Sequence, residues 1–193
     1  MLLKSFKEIV DPVDRAVVFA TYAHKNVVRK GSSLPYILHP LEAGVITASL
    51  TEEREIIAAA ILHDVVEDTC FSLNDICYLF GSRVSDLVDS NTEEKRSGVP
   101  KRETWRIRKE ETINYLLTEA SYEEKIIIFS DKLSNLRSTY NNYMLIGDQV
   151  FQRFNVKEKE QHKWYFESVL NAVTELKETG AYKEYENLLH KIF

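Results

Sequence analysis

The chain has 193 residues, 44% hydrophobic and 28% charged, the profile of a globular protein large enough for one substantial core. Six glycines and four prolines are too few for an all-β fold built on tight turns, and they equally exclude low complexity. The net charge of −5 argues against a nucleic-acid polymer as main partner, since such binders carry a basic surface. It leaves room for a small anionic ligand on a local basic patch.

In chain order the sequence reads as helices, with no convincing strand. Asp11 and Pro12 predict an N-cap and a first helical position, with a helix through Phe19 and Ala23 toward Val27. The loop Gly31 to Pro35 ends it. Pro40 is expected to start a second helix with His39 at its entry, and Thr51 to cap a third. That third helix is apolar on nearly all sides from Ile56 to Leu62, so it is expected to be central and buried. Ser72 with Asp75 predicts a capping box, Gly81 a helix stop, and Ser82 the next cap.

Residues 92–104 lack periodicity and predict a long surface loop, after which Trp105 to Leu117 is amphipathic. Ser121 with Glu124 predicts a second capping box opening a long helix that Gly147 ends. Lys157 to Lys177 and Tyr182 to Phe193 close the chain as helices, and the Trp164-Tyr165-Phe166 group on the first reads as core. The expectation is all-α: a single helical domain over residues 1–193, its motifs within about 13–140 and its C-terminal helices in 148–193.

The longest apolar run, Ile56 to Leu62, is far short of the ~20 residues of a membrane span. Residues 1–10 carry Lys4, Lys7 and Glu8 and do not form a signal peptide. Cys70 and Cys77, without CxxC spacing, read as reduced thiols of an intracellular, cytoplasmic protein.

The sharpest chemical signal is His63-Asp64-Val65-Val66-Glu67-Asp68-Thr69, at the end of the most apolar helix. His63 and Glu67, and likewise Asp64 and Asp68, stand four apart and would share helix faces. Charge buried there is costly unless a partner or a metal offsets it. His39 and Asp131, the latter straight after Ile126 to Ser130, are the further candidate ligands. Two imidazoles and two carboxylates suit Mn²⁺, Fe²⁺ or Zn²⁺ with water positions left open. Such an ion beside a free carboxylate is the usual apparatus for hydrolysing a phosphate ester or anhydride.

His39, His63-Asp64 and Asp131 reproduce the H…HD…D pattern of HD-domain phosphohydrolases. More narrowly, the chain resembles the hydrolase domain of RelA/SpoT-type enzymes and the stand-alone small alarmone hydrolases. The resemblance rests on His24, Arg29-Lys30-Gly31, Pro35-Tyr36-Ile37-Leu38-His39-Pro40, the HDVVEDT string, Phe80-Gly81 and Asp131 to Arg137. It implies an HD-domain helical bundle in which His39, His63, Asp64 and Asp131 hold one Mn²⁺-like ion. It further implies that Glu67 and Asp68 orient or deprotonate the attacking water, that Arg29 and Lys30 contact a guanine base, that Asn135 contacts the ribose, and that Arg137 lies near the nucleotide.

The family reaction removes pyrophosphate from the 3′ position of guanosine tetra- or pentaphosphate, alarmones of the stringent response. The alternatives are another phosphorylated nucleotide or a dinucleotide such as NADPH, or a non-catalytic nucleotide-sensing module. The chain departs from the family where Lys25-Asn26 follows His24 in place of Gly-Gln, where Arg29-Lys30 stands one residue further from His39, and where Asn91 to Lys95 replaces a Thr-Lys element. Residues 93–109 hold seven basic and three acidic residues, and a basic loop of this kind is a candidate clamp for phosphates.

Overall fold

The structure is a computed structural model that describes residues 2–30, 33–92, 96 and 98–193. Gly31 and Ser32 of the first loop, and Glu93, Glu94 and Lys95 of the basic segment, lie outside the described residues. The chain is all-α. Among the described residues, extended pairing is confined to one antiparallel bridge between Val28 and Pro35. Among the described residues no helix is long and apolar enough to cross a membrane. The backbone divides into two compact units, residues 1–92 with 126–131, and residues 93–125 with 132–193.

The first unit begins with α1 (Leu2–Lys7) and α2 (Pro12–Ala23). Asp11 caps α2 as predicted, its carboxylate accepting from the Val13 amide at 2.8 Å and the Asp14 amide at 3.2 Å. The helix stops at His24 rather than running toward Val27, because Asn26 adopts φ 66°, the left-handed region that asparagine tolerates better than most residues. α3 (Leu38–Ala48) starts before Pro40. The proline sits in the first turn, where a missing N–H has no intrahelical partner to lose, and His39 is thereby inside the helix.

α4 (Arg54–Leu62) is the buried centre of this unit, packed by α2, α3 and α7 (Ser82–Asn91). Ala58, Ala59, Ala60 and Leu62 are fully buried, as a helix apolar all round requires. Its N-cap is Glu53 rather than Thr51, whose hydroxyl instead accepts from the Glu53 amide at 3.1 Å. The small side chains admit close neighbours: a Cβ on Gly44 of α3 would stand 2.4 Å from Ile61 Cγ1.

α5 is a single turn (Val65–Asp68), and α6 (Leu73–Phe80) carries the predicted Ser72–Asp75 capping box. Gly81, at φ 91°, ends α6 and also caps α7, so Ser82 is the first helical residue and not the cap. Phe19 anchors the aromatic core, with ring centroids 5.3 Å from Phe6 and 4.8 Å from Phe71.

The second unit holds α8 (Lys101–Thr118), most of α9 (Tyr122–Ile146), a 3₁₀ helix (Gly147–Arg153), α10 (Lys159–Ala172), a second 3₁₀ turn (Thr174–Leu176) and α11 (Gly180–Ile192). α9 opens with the predicted Ser121–Glu124 capping box and ends at Gly147. α10 is shorter than predicted, and α11 begins at Gly180, ahead of Tyr182, behind the Thr179 cap. Tyr165 and Phe166 are core, as expected. Tyr185 is fully buried, and its hydroxyl donates to the Phe166 carbonyl at 3.1 Å.

The expected basic loop is helical from Lys101 onward, and three of its cations face acids. Arg102 meets Glu158 at 3.0 Å, Arg106 meets Glu110 at 2.7 Å, and Arg96 pairs with Glu111. The Arg106 guanidinium also stacks 3.3 Å from the centroid of the Trp164 ring, a cation–π contact. Charge counting along the sequence registers an excess of cations here. It does not register the carboxylates of α10 and of α8 itself that neutralise them.

His162 is a buried imidazole in this unit, with its Nε2 2.8 Å from the Val156 carbonyl and its ring among Trp105, Phe151 and Phe154. Burial lowers its pKa below 6.5; the Val156 carbonyl and Glu158 oppose that shift and Lys109 adds to it. The unfolded chain therefore takes up the proton first as pH falls, and stability present above pH 6.5 is lost below it. Urea unfolding between pH 7.5 and 5 is expected to show that acid-side loss, and His162→Gln to remove part of it. A variant profile parallel to the wild type would refute the assignment.

Candidate metal centre

The first unit brings its ionisable residues together at the end of α4. The sequence suggests one continuous helix through His63 and Asp64, but α4 stops at Leu62 and α5 starts at Val65. His63 Nδ1 donates to the Ala60 carbonyl at 2.7 Å, taking up one of the last carbonyls of α4 as basic side chains at helix ends do. Asp64 has φ −93° and ψ −4°, and the chain turns there before the Asp68 amide bonds back to the Asp64 carbonyl at 2.9 Å. The break sets both side chains at one place.

His39, from the first turn of α3, and Asp131, from the segment of α9 within this unit, complete the group. His39 Nε2 lies 3.1 Å from Asp131 Oδ1 and 3.6 Å from Asp64 Oδ2. His63 Nε2 lies 3.0 Å from Asp64 Oδ2 and 3.7 Å from Asp131 Oδ1. His39, His63 and Asp131 are buried, and their ligand atoms all fall within 4.8 Å of one another.

Donors on an ion at 2.0–2.2 Å stand about 3.0–3.5 Å apart, so these spacings fit a shared cation. The tautomer fits too. With His63 Nδ1–H committed to Ala60, Nε2 is the nitrogen that can give up its proton and present a lone pair to an ion, and it is buried without a hydrogen bond of its own. A backbone carbonyl orienting a ligating imidazole is a standard outer-shell arrangement. The residues present therefore fit a divalent transition ion.

The electrostatics agree. Burial disfavours charge on His63, but the Asp64 and Asp131 carboxylates and the Ala60 carbonyl outweigh it and push its pKa up to about 9. Burial also works against the Asp64 charge, yet the His63 and His39 imidazoles hold its carboxyl well below the usual carboxylate range. For His39 burial prevails and lowers its pKa, against Asp131 and Asp64. An Asp64 carboxylate kept ionised beside two imidazoles forms a site that attracts positive charge.

Glu67, half-buried, and Asp68, exposed, follow on α5. Arg29 and Lys30 stand on the segment closed by the Arg29 amide to the Leu34 carbonyl and the Tyr36 amide to the Val27 carbonyl, both 2.9 Å. They are not on a helix end. Asn135 and Arg137 belong to the second unit. There Arg137 makes a bidentate pair with Glu184, Nε to Oε1 at 2.6 Å and Nη2 to Oε2 at 2.7 Å.

Two residues that the sequence reading left without a role lie beside the centre. Tyr36 donates its hydroxyl to Asp64 Oδ2 at 2.6 Å, and burial followed by the Asp64 charge pushes its phenol far above the usual range. His24 is buried with its ring 5.0 Å from that of Tyr36, and burial lowers its pKa against the Asp64 and Asp68 charges. Their presence in the motif is a sequence signal, but their chemistry is visible only in three dimensions.

A model of the HD domain matches residues 16–152, more than half of the chain. The chain belongs to the HD-domain family. The match takes in residues from both compact units and all four grouped side chains. This HD-domain chain is 32% identical over 143 residues to the guanosine-3′,5′-bis(diphosphate) 3′-pyrophosphohydrolase of Aquifex aeolicus, an alignment covering 72% of this chain and 19% of that protein.

The chain spans less than a fifth of the length of the curated relatives it matches. Among solved structures it is similar to a metazoan ortholog of SpoT that hydrolyzes ppGpp, with a TM-score of 0.71 and 27% identity over 93% of this chain and 94% of that one. It is also similar to lmo0812 from Listeria monocytogenes, with a TM-score of 0.69 and 34% identity over 82% of this chain and 96% of that one.

Proposed function

We propose that this HD-domain chain is a metal-dependent hydrolase that removes the 3′-pyrophosphate of guanosine tetra- or pentaphosphate, with Mn²⁺ as its ion. The observation that carries the reading is the buried group of His39, His63 and Asp131 with the half-buried Asp64 carboxylate against both imidazoles, followed one turn later by Glu67 and Asp68. Similarity across most of the chain to a ppGpp-hydrolysing protein supports the choice of substrate.

A divalent ion held by the four residues supplies Lewis acidity toward phosphoryl oxygen and lowers the pKa of water beside it. The chain's own part is to orient water and take its proton, work suited to the carboxylates of Glu67 and Asp68. Arg29 and Lys30 would meet the guanine base and Asn135 the ribose. Arg137, paired with Glu184, would lie near the nucleotide. Arg102 and Arg106 are paired to acids and are assigned no contact in this reading. The exposed, free Cys70 and Cys77 accord with a reducing, cytoplasmic setting.

The test is a product assay with Mn²⁺ against guanosine tetraphosphate, pyrophosphorylated adenosine nucleotides, deoxynucleoside triphosphates and NADPH. Release of pyrophosphate and GDP from guanosine tetraphosphate, abolished by chelation, is expected. Turnover of another member of the panel alone would overturn the substrate. Metal uptake with no turnover of any member would favour a nucleotide-sensing module.

A further inference from the structure

We infer that Tyr36 is a positioning residue for the metal centre, acting through Asp64; the inference rests on the metal-centre reading above. Its hydroxyl donates to Asp64 Oδ2 at 2.6 Å. That same oxygen faces both imidazoles, 3.0 Å from His63 Nε2 and 3.6 Å from His39 Nε2. The phenol thus sets the ligand oxygen itself.

Asp64 needs such a restraint because of where it stands. It occupies the turn between α4 and α5, and its side chain makes no cap bond to the helix that follows. A carboxylate in a turn can rotate, and a charge-assisted O–H···O⁻ bond of this length is among the strong ones available to hold it. Tyr36 is itself held on several sides. Its amide donates to the Val27 carbonyl at 2.9 Å, and its carbonyl accepts from the His39 amide at 3.0 Å. Its ring lies between those of His24, at 5.0 Å, and His39, at 5.9 Å and nearly perpendicular. One residue therefore links the backbone carrying His39 to the carboxylate following His63, and so couples a group on α3 to one in the turn after α4.

Tyr36→Phe keeps the ring and its packing and removes only the donor, so the fold is not at stake. Affinity for Mn²⁺, read by competition with a chromophoric chelator, is expected to fall ~10–100-fold, the range for loss of an outer-shell partner. The visible absorption of Co²⁺ taken up by the site should change with it, while the thermal midpoint of the metal-free protein stays put. A purely structural tyrosine would do the reverse, moving the metal-free midpoint and leaving affinity and spectrum unchanged, and that result would overturn the inference. Wild-type protein that takes up no Mn²⁺ in the same titration would overturn the metal centre and this role together. Wild-type uptake with an unaltered Tyr36→Phe would overturn this role alone.

Discussion

Asp64→Ala is expected to lose its divalent ion and, with it, phosphohydrolase turnover. The carboxylate lies 3.0 Å and 3.6 Å from the two imidazole nitrogens, so its removal takes away a direct ligand. The affinity loss should exceed the ~10–100-fold typical of outer-shell changes. Metal analysis after gel filtration is expected to give about one equivalent for the wild type and almost none for the variant. The charge balance matters as much as the lost ligand. Without Asp64 the site keeps two imidazoles and one carboxylate, a poorer match for a dication. The variant should still fold, because both imidazoles can be buried neutral, one of them bonded to Ala60. Full metal content in folded Asp64→Ala would remove Asp64 from the ligand set.

The second large effect is expected from Glu67→Gln/Asp68→Asn, which should keep the metal and lower kcat by about 10²–10⁴, the contribution of positioned acid–base groups. The amides preserve shape and hydrogen bonding but cannot take a proton at neutral pH. Both residues lie on α5, beyond the break that carries His63 and Asp64, so metal content should match the wild type. The paired measurement separates roles: metal retained with activity lost places the carboxylates on the reacting water. A double variant with wild-type turnover would refute that placement. Loss of metal and activity together would make them ligands instead.

How far the sequence reached depended on whether the relevant physics was local. The Asp11 cap, the Ser72–Asp75 and Ser121–Glu124 boxes and the stop at Gly147 all rest on contacts within a few residues, and each appears where the pattern puts it. The buried centre at Ile56 to Leu62 follows from an apolar circumference that leaves no face for water. Boundaries failed where a neighbour in space or a special backbone angle intervened. α2 ends early at the left-handed Asn26, and α8 begins at Lys101, inside what had no readable periodicity.

The ligand types His39, His63, Asp64 and Asp131 could be named from the sequence, since the motif spacing is chemical information that survives without coordinates. Periodicity and composition suffice for an all-α chain with a buried central helix, and motif spacing for a set of residues able to hold a cation. Which of those residues face one another is set by packing in three dimensions. The break at His63–Asp64, closed by the Ala60 carbonyl, turns an apparent helix face into two inward ligands. The Tyr36 hydroxyl selects the oxygen that meets them. Arg106, an unpaired cation in one dimension, lies stacked on Trp164 and bonded to Glu110 in three. These arrangements, together with the His39–Asp131 pair, join groups between 3 and 92 residues apart. Electrostatic and hydrogen-bond energies depend on distance in space, which sequence separation does not supply.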